Sequence, residues 1–337
     1  MPSRPPLVGI AAALASQPPT RTVFAQFSLV ERVALVTGGG RGIGLEVAAA
    51  FAEAGAIVYC LSLSKQPDND FVAVQEFIAK LPPLAEDVKN GRMEYISGDV
   101  TDQKQMWKVA EDIVAKEGRL DICFANAGIT QGGVGCLEYP AEDFAKIINV
   151  NLNGVLYTAQ AAGRQMEKLG VPGSIILNAS MAGSIALQNE KLIAYTASKS
   201  ALIQMARSMA CELGPKGIRV NSVSPGYIYT KLTEGYVKST DKMREWSSQN
   251  PLGRLGRPEE LRGVCLWLAS DASTFCTGSD IIVDGGHQRA AESIYRKIIR
   301  FLTFEDYIRS GLCHRALLLS DSKKEFPRCP ESYFPDK

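Results

Sequence analysis

Tyr195 and Lys199 stand four residues apart in the run Tyr195-Thr196-Ala197-Ser198-Lys199. On a helix, positions i and i+4 share a face, so the ammonium lies beside the phenol. A free tyrosine titrates near a pH of about 10 and is a poor proton donor or acceptor at neutrality. A cation within about 4–6 Å favours the phenolate and moves that titration toward the working range. The pair is therefore suited to general acid/base chemistry at an oxygen atom. Many solvated tyrosine–lysine pairs share this spacing, so its meaning depends on the elements that position it.

Those elements alternate. Val33 to Val36 reads as a buried strand that runs into Thr37-Gly38-Gly39-Gly40-Arg41-Gly42-Ile43-Gly44, and an amphipathic helix follows through Ala54. Ala56 to Leu61 is a second strand. Residues 64–93 read as a connection longer than a compact strand–helix–strand unit needs. Met93 to Ile96 is a third strand, and a helix runs from Asp102, a candidate N-cap, to Lys116. Leu120 to Phe124 is strand four, Ala141 to Lys168 a long helix, and Gly173 to Leu177 strand five. The helix carrying Tyr195 ends at Leu213. Ile218 to Val223, a helix from Pro258 to Ala269 and Ile281 to Val283 complete the series. Continuously apolar strands alternating with helices predict an α/β fold: one doubly wound, Rossmann-type domain with a seven-stranded parallel sheet.

The glycine cluster falls after the first strand and opens the first helix, where a dinucleotide loop belongs. Glycines let backbone approach a pyrophosphate, and the helix N-terminus offers amide donors. The end of the second strand selects the cofactor. An NAD site wants a carboxylate there, about 20 residues after the loop, for the ribose hydroxyls. Instead Leu61-Ser62-Leu63-Ser64-Lys65 offers no acid before Asp68. Arg41 adds a cation that can face a 2′-phosphate, and Ser62, Ser64 and Lys65 add donors. NADP(H) is the expected cofactor.

Composition removes other chemistries. The net charge is +1, so no strong field points to nucleic acid. No apolar run reaches the roughly 18 residues of a membrane span, and no stable membrane insertion is expected. The chain has eight scattered cysteines without a Cys-x-x-Cys pair, which reads as reduced intracellular thiols. The two histidines, His287 and His314, both come late, so neither a zinc site on paired histidines nor a Ser-His-Asp triad fits the first 280 residues. No metal is expected. Residues 1–28, with no acidic residue and four prolines after Pro2, read as a disordered extension of a cytoplasmic protein, with a short targeting segment as the alternative.

Over about residues 28–287 the chain resembles the short-chain dehydrogenase/reductases. The matching segments are Thr37 to Gly44, Asn126-Ala127-Gly128, Asn151, Ser180, Tyr195 with Lys199, and Pro225-Gly226. Within that family it is similar to the fungal ketose and polyol reductases, such as sorbose reductases and mannitol or arabinitol dehydrogenases. That likeness rests on Asn151-Leu-Asn-Gly154, Leu252-Gly-Arg-Leu-Gly256, Leu268 to Phe275 and Thr277 to Asp280, and on a Ser180–Tyr195 separation two residues wider than most members use.

The resemblance implies an NADP-dependent oxidoreductase acting on CH–OH groups. Tyr195 would be the general acid in carbonyl reduction and the base in alcohol oxidation, Lys199 would lower its pKa and bind the nicotinamide ribose, and Ser180 would hydrogen-bond the substrate oxygen. Asn151 would hold a water linking Lys199 to solvent. Gly38, Arg41, Gly42, Ile43, Gly44 and Ser62 would bind the cofactor's phosphate end, and Asp99-Val100 its adenine. Asn126, Ala127 and Gly128 would border it, and Pro225, Gly226, Ile228 and Thr230 would cradle the nicotinamide. The resemblance further implies a homodimer or homotetramer joined through the long helices.

Ala125 stands where relatives usually have a first asparagine, and Gln188 to Leu192 replaces their usual Pro-Gln segment. The second departure leaves two substrate classes open: a ketose or polyol, or a less polar ketone of fungal secondary metabolism, the latter suited to the aromatics of Tyr227 to Asn250. A catalytically silent NADP-binding regulator is the alternative, although such a protein would be expected to lose Ser180, Tyr195 or Lys199. Relatives usually end near His287. Residues 288–337 form a C-terminal extension in which Ile294, Ile298, Leu302 and Ile308 share a helical face.

Overall fold

A computed structural model of the protein describes residues 22–82, 90–187, 190–231, 233–235 and 241–290. Its seven strands are β1 (Val33–Thr37), β2 (Ile57–Ser62), β3 (Arg92–Ser97), β4 (Ile122–Ala125), β5 (Gly173–Asn178), β6 (Ile218–Pro225) and β7 (Asp280–Val283). They form one parallel sheet in the order β3-β2-β1-β4-β5-β6-β7. The chain winds outward from β1 through β2 to β3, then crosses to β4 and winds the other way. The reversal opens a crevice beside the carboxyl ends of β1 and β4, the usual ligand position in such sheets.

Successive residues of a strand point to opposite faces. Leu35 packs into one core layer and its neighbours Ala34 and Val36 into the other, and Ile175 and Ile176 divide in the same way. Both faces are covered, which is why these strands are apolar without alternation. One layer is closed by α1 (Gly42–Glu53), α2 (Asn69–Ala79) and α8 (Arg262–Ala269). The other is closed by α3 (Gln103–Glu117), α5 (Gly154–Leu169) and α6 (Ile193–Leu213).

The structure refines the expected elements in four places. The connection over 64–93 contains α2: Asp68 accepts the Phe71 amide at 3.0 Å, and Phe71 and Ile78 are buried. The long helix expected over 141–168 is α4 (Ala141–Ile148), a π-helical segment (Asn149–Asn153) and α5 in succession. The helix expected from Pro258 begins as a 3-10 turn, Pro258–Leu261, before α8. A short helix, α7 (Lys242–Ser248), stands within the stretch that follows β6. Asp102 caps α3 as expected, accepting the Gln105 amide at 3.0 Å. Residues 1–21 and the tail helix expected around Ile294 lie outside the described residues. Among the described residues, no helix is long and apolar enough to cross a membrane and no cluster of candidate metal ligands occurs.

Candidate active site

The expected site residues stand just past the carboxyl ends of adjacent strands. From one edge inward these are Asp99 and Val100 after β3, Ser62 ending β2, Gly38 after β1 and Asn126 after β4. Ser180 follows β5, and Pro225 ends β6.

The turn after β1 requires glycine at two positions. Gly38 has φ +66°, and a Cβ there would stand 2.8 Å from Asn126 Nδ2. A Cβ on Gly44 would stand 2.2 Å from the Gly38 carbonyl oxygen, so α1 starts directly against the loop. Asn126 fastens this turn to β4, donating from Nδ2 to Thr37 O at 2.9 Å and to Gly38 O at 3.3 Å. The Thr37 hydroxyl accepts the amides of Asn126 at 3.1 Å and Ala127 at 3.3 Å. Ser62 Oγ accepts the Gly40 amide at 3.0 Å, and its own proton stays available to an anion. Arg41 stands at the N-cap of α1, exposed, as is Lys65 after β2. The whole edge is therefore rich in donors.

Beyond Asn126 the contacts lead to Tyr195 and Lys199. Asn178 Nδ2 donates to Asn126 Oδ1 at 2.8 Å, and Lys199 Nζ donates to the Asn178 carbonyl at 2.6 Å. Lys199 is buried in α6, and burial lowers its pKa to about 8. Gly128 borders the same point: a Cβ there would lie 3.4 Å from Asn151 Oδ1 and 3.8 Å from Lys199 Nζ. Asn151, fully buried in the π-helical segment, clasps the Ile129 backbone. Its Oδ1 accepts the amide at 2.8 Å, and its Nδ2 donates to the carbonyl at 2.9 Å and to Ser198 Oγ at 3.3 Å.

Ser180 caps a 3-10 turn, Met181–Gly183, its Oγ accepting the Ala182 amide at 3.2 Å. The Ser180 side chain also faces Tyr195 across the gap between β5 and α6. Burial raises the Tyr195 pKa, and Ser180 works against that rise. Lys199 Nζ lies 5.6 Å from the Tyr195 ring centroid and points to the Asn178 carbonyl.

The remaining expected residues frame the ends. Asp99 accepts the backbone and side chain of Thr101 at 2.9 and 2.8 Å, and buried Val100 packs where a Cβ on Gly154 would stand 2.7 Å away. These two stand at the edge strand, at the opposite end of the row from Pro225. Gly226 comes so near β7 that a Cβ would stand 2.7 Å from Asp284 Cα. Ile228 is buried and bridges to Gly256. Thr230 approaches the glycine turn, its Cβ 4.0 Å from a Cβ built on Gly42. Two contributors were not singled out from sequence, Thr37 and Asn178. The only signal was a polar residue ending an otherwise apolar strand. A cavity of about 550 Å³ runs along the segment after Ser180, lined by Ala182, Ser184, Leu187, Glu190 and Thr196 among others.

A family model described as Enoyl-(Acyl carrier protein) reductase matches residues 38–288. The sorbose reductase sou1 of Schizosaccharomyces pombe is 40% identical over 262 residues, 77% of this chain and 97% of the relative. An NADP-dependent mannitol dehydrogenase of Hypocrea jecorina is 35% identical over 77% of this chain and 94% of its own length. Among solved structures, a short-chain type dehydrogenase/reductase from Mycobacterium marinum is 41% identical, with a TM-score of 0.72 over 79% of this chain and 99% of that one. The chain belongs to the short-chain dehydrogenase/reductase family, as its sheet order and its serine–tyrosine–lysine cluster anticipate.

Proposed function

We propose that the protein is an NADP(H)-dependent oxidoreductase that interconverts a ketone and a secondary alcohol, with a ketose and its polyol as the substrate class. The observation that carries this reading is the grouping of Ser180, Tyr195 and buried Lys199, its Nζ 5.6 Å from the tyrosine ring, at the carboxyl ends of a parallel sheet. The polyol class is supported by the sorbose reductase and mannitol dehydrogenase relatives.

The strand ends suit an NADP cofactor. The turn at Gly38 and Gly44 has no space for a side chain, so backbone alone meets the pyrophosphate. Arg41, the Ser62 hydroxyl and Lys65 offer donors, and no carboxylate stands at the end of β2 to repel a 2′-phosphate. When bound, the nicotinamide supplies or accepts the hydride. In reduction, negative charge gathers on the carbonyl oxygen. Ser180 and Tyr195 donate hydrogen bonds to that oxygen, and Tyr195 gives up its proton. Lys199 holds positive charge near the phenolate left behind, and Asn151 fixes the Ile129 backbone that borders the lysine. In oxidation the same groups act in reverse. Assembly as a homodimer or homotetramer is part of this reading, and light scattering on the purified protein tests it.

The test is a panel of ketoses and polyols, with less polar ketones for contrast, offered to the purified protein with NADPH and separately with NADH. Consumption of NADPH with a ketose is expected. Tight NADPH binding without turnover on any substrate contradicts the proposal.

A further inference from the structure

The segment that leads into α6 and the stretch that follows β6 meet at one carboxylate. Glu190 Oε1 accepts from Trp246 Nε1 at 3.0 Å and from Lys242 Nζ at 2.9 Å. Both donors belong to α7, one turn apart on one face. The Glu190 side chain is 15% exposed, so this contact is better sheltered from solvent than an ordinary surface pair. Glu190 lies five residues before Tyr195, on the segment leading into α6.

The same face of α7 is also held by aromatic packing. The Trp246 and Tyr227 rings stack at 4.2 Å with an interplanar angle of 5°, and Tyr227 meets the edge of His287 at 5.3 Å. Tyr227 follows Pro225 and Gly226 at the end of β6. A helix of seven residues cannot maintain itself, since isolated helices below about 12 residues are marginal in water. Its place is therefore set by these contacts. The Glu190 contact joins it to the segment that leads into α6. Loss of that carboxylate leaves the buried Trp246 N–H without its acceptor and removes one of the charges facing Lys242, which keeps Glu245 at 3.1 Å. Glu190 also lines the cavity that begins after Ser180.

We propose that Glu190 is a positioning residue that fixes α7 against the segment before Tyr195 and thereby selects which substrates reach Ser180 and Tyr195. The proposal rests on the reading of this site as a ketone reductase, and its test separates the two.

Glu190→Ala and Glu190→Gln are made in the full chain, alone and with Trp246→Phe. Each is compared with the wild type for tryptophan emission, acrylamide quenching, NADPH dissociation constant and ketose kinetics. Glu190→Ala is expected to red-shift the emission and to increase quenching, both effects vanishing in the Trp246→Phe background. Its KM for the ketose is expected to rise about tenfold, with kcat changed by less than about threefold and NADPH affinity unaltered. Glu190→Gln keeps an acceptor for Trp246 but loses one of the charges facing Lys242. It should restore the wild-type emission and give an intermediate KM. Unchanged emission in Glu190→Ala, or NADPH affinity and kcat falling in step with the rise in KM, overturns the proposal. Should Glu190→Ala fail to fold, Glu190→Gln decides: a raised KM supports the role and a wild-type KM refutes it. If the wild type itself reduces no ketone, the reductase reading fails, and the emission and quenching results alone decide whether Glu190 holds α7.

Discussion

Burial acts on Tyr195 and Lys199 in opposite senses, raising the phenol and lowering the ammonium to about 8. For Lys199 this has a consequence for stability. The folded pKa lies below the unfolded value, so between about pH 8 and 10.5 the unfolded chain binds more protons, and stability rises with pH across that window. Below about pH 8 the folded protein carries the full penalty of a buried charge, on the order of 3 kcal/mol. Lys199→Met should therefore stabilise the cofactor-free protein at neutral pH while abolishing turnover. Denaturant unfolding of both proteins between pH 7 and 10 checks this: their difference in stability should shrink as pH rises. A second residue-scale expectation concerns Arg41, exposed at the mouth of the glycine turn. Arg41→Ala should raise the KM for NADPH about tenfold, the worth of one charge-assisted phosphate contact, and leave that for NADH unchanged. Steady-state kinetics with both cofactors reads the outcome. The reacting pair was legible in sequence because its chemistry depends on residue type at fixed spacing. Asn178 was not, because it holds Lys199 through a backbone carbonyl that any residue possesses.

At the scale of elements, the strand–turn–helix at β1 and α1 is the most constrained unit. A methyl on Gly44 would stand 2.2 Å from the Gly38 carbonyl, so α1 must move away from the turn. Gly44→Ala should weaken NADPH binding by about tenfold or more and lower the melting temperature, through a packing strain of about 1–3 kcal/mol. Cofactor titration and thermal unfolding measure the two effects. The π-helical segment between α4 and α5 puts Asn151 where it can clasp Ile129. Asn151→Ala leaves that backbone pair unmatched and should destabilise the protein by about 2 kcal/mol, measurable as a lower denaturation midpoint at an unchanged denaturant slope. Sequence periodicity showed one helix over this region because the π turn inserts a residue without breaking the apolar face. Helix α2 was missed because its apolar residues are not confined to one face: Phe71 and Ile78 are buried while Val72 and Phe77 are exposed, which blurs the helical stripe.

For the whole molecule, the alternation of strands and helices was enough to anticipate a parallel doubly wound sheet, because strands buried on both faces must be apolar throughout. The contact of Glu190 with α7 was not legible. It depends on a three-dimensional meeting that no local pattern encodes. The same fold gathers Gly38, Asn126, Asn178 and Lys199 from four distant parts of the chain into one line of hydrogen bonds. The line runs from the glycine turn to Lys199, the arrangement that the proposed hydride transfer to a carbonyl calls for. The central claim is that Tyr195 moves the proton in that reaction. Its most direct test is NADPH oxidation by a ketose that the wild type reduces, measured beside Tyr195→Phe, which keeps the ring and loses only the hydroxyl. The variant should bind NADPH as the wild type does and lose turnover by about 10²–10⁴-fold. A Tyr195→Phe protein that reduces the ketose at the wild-type rate contradicts the account.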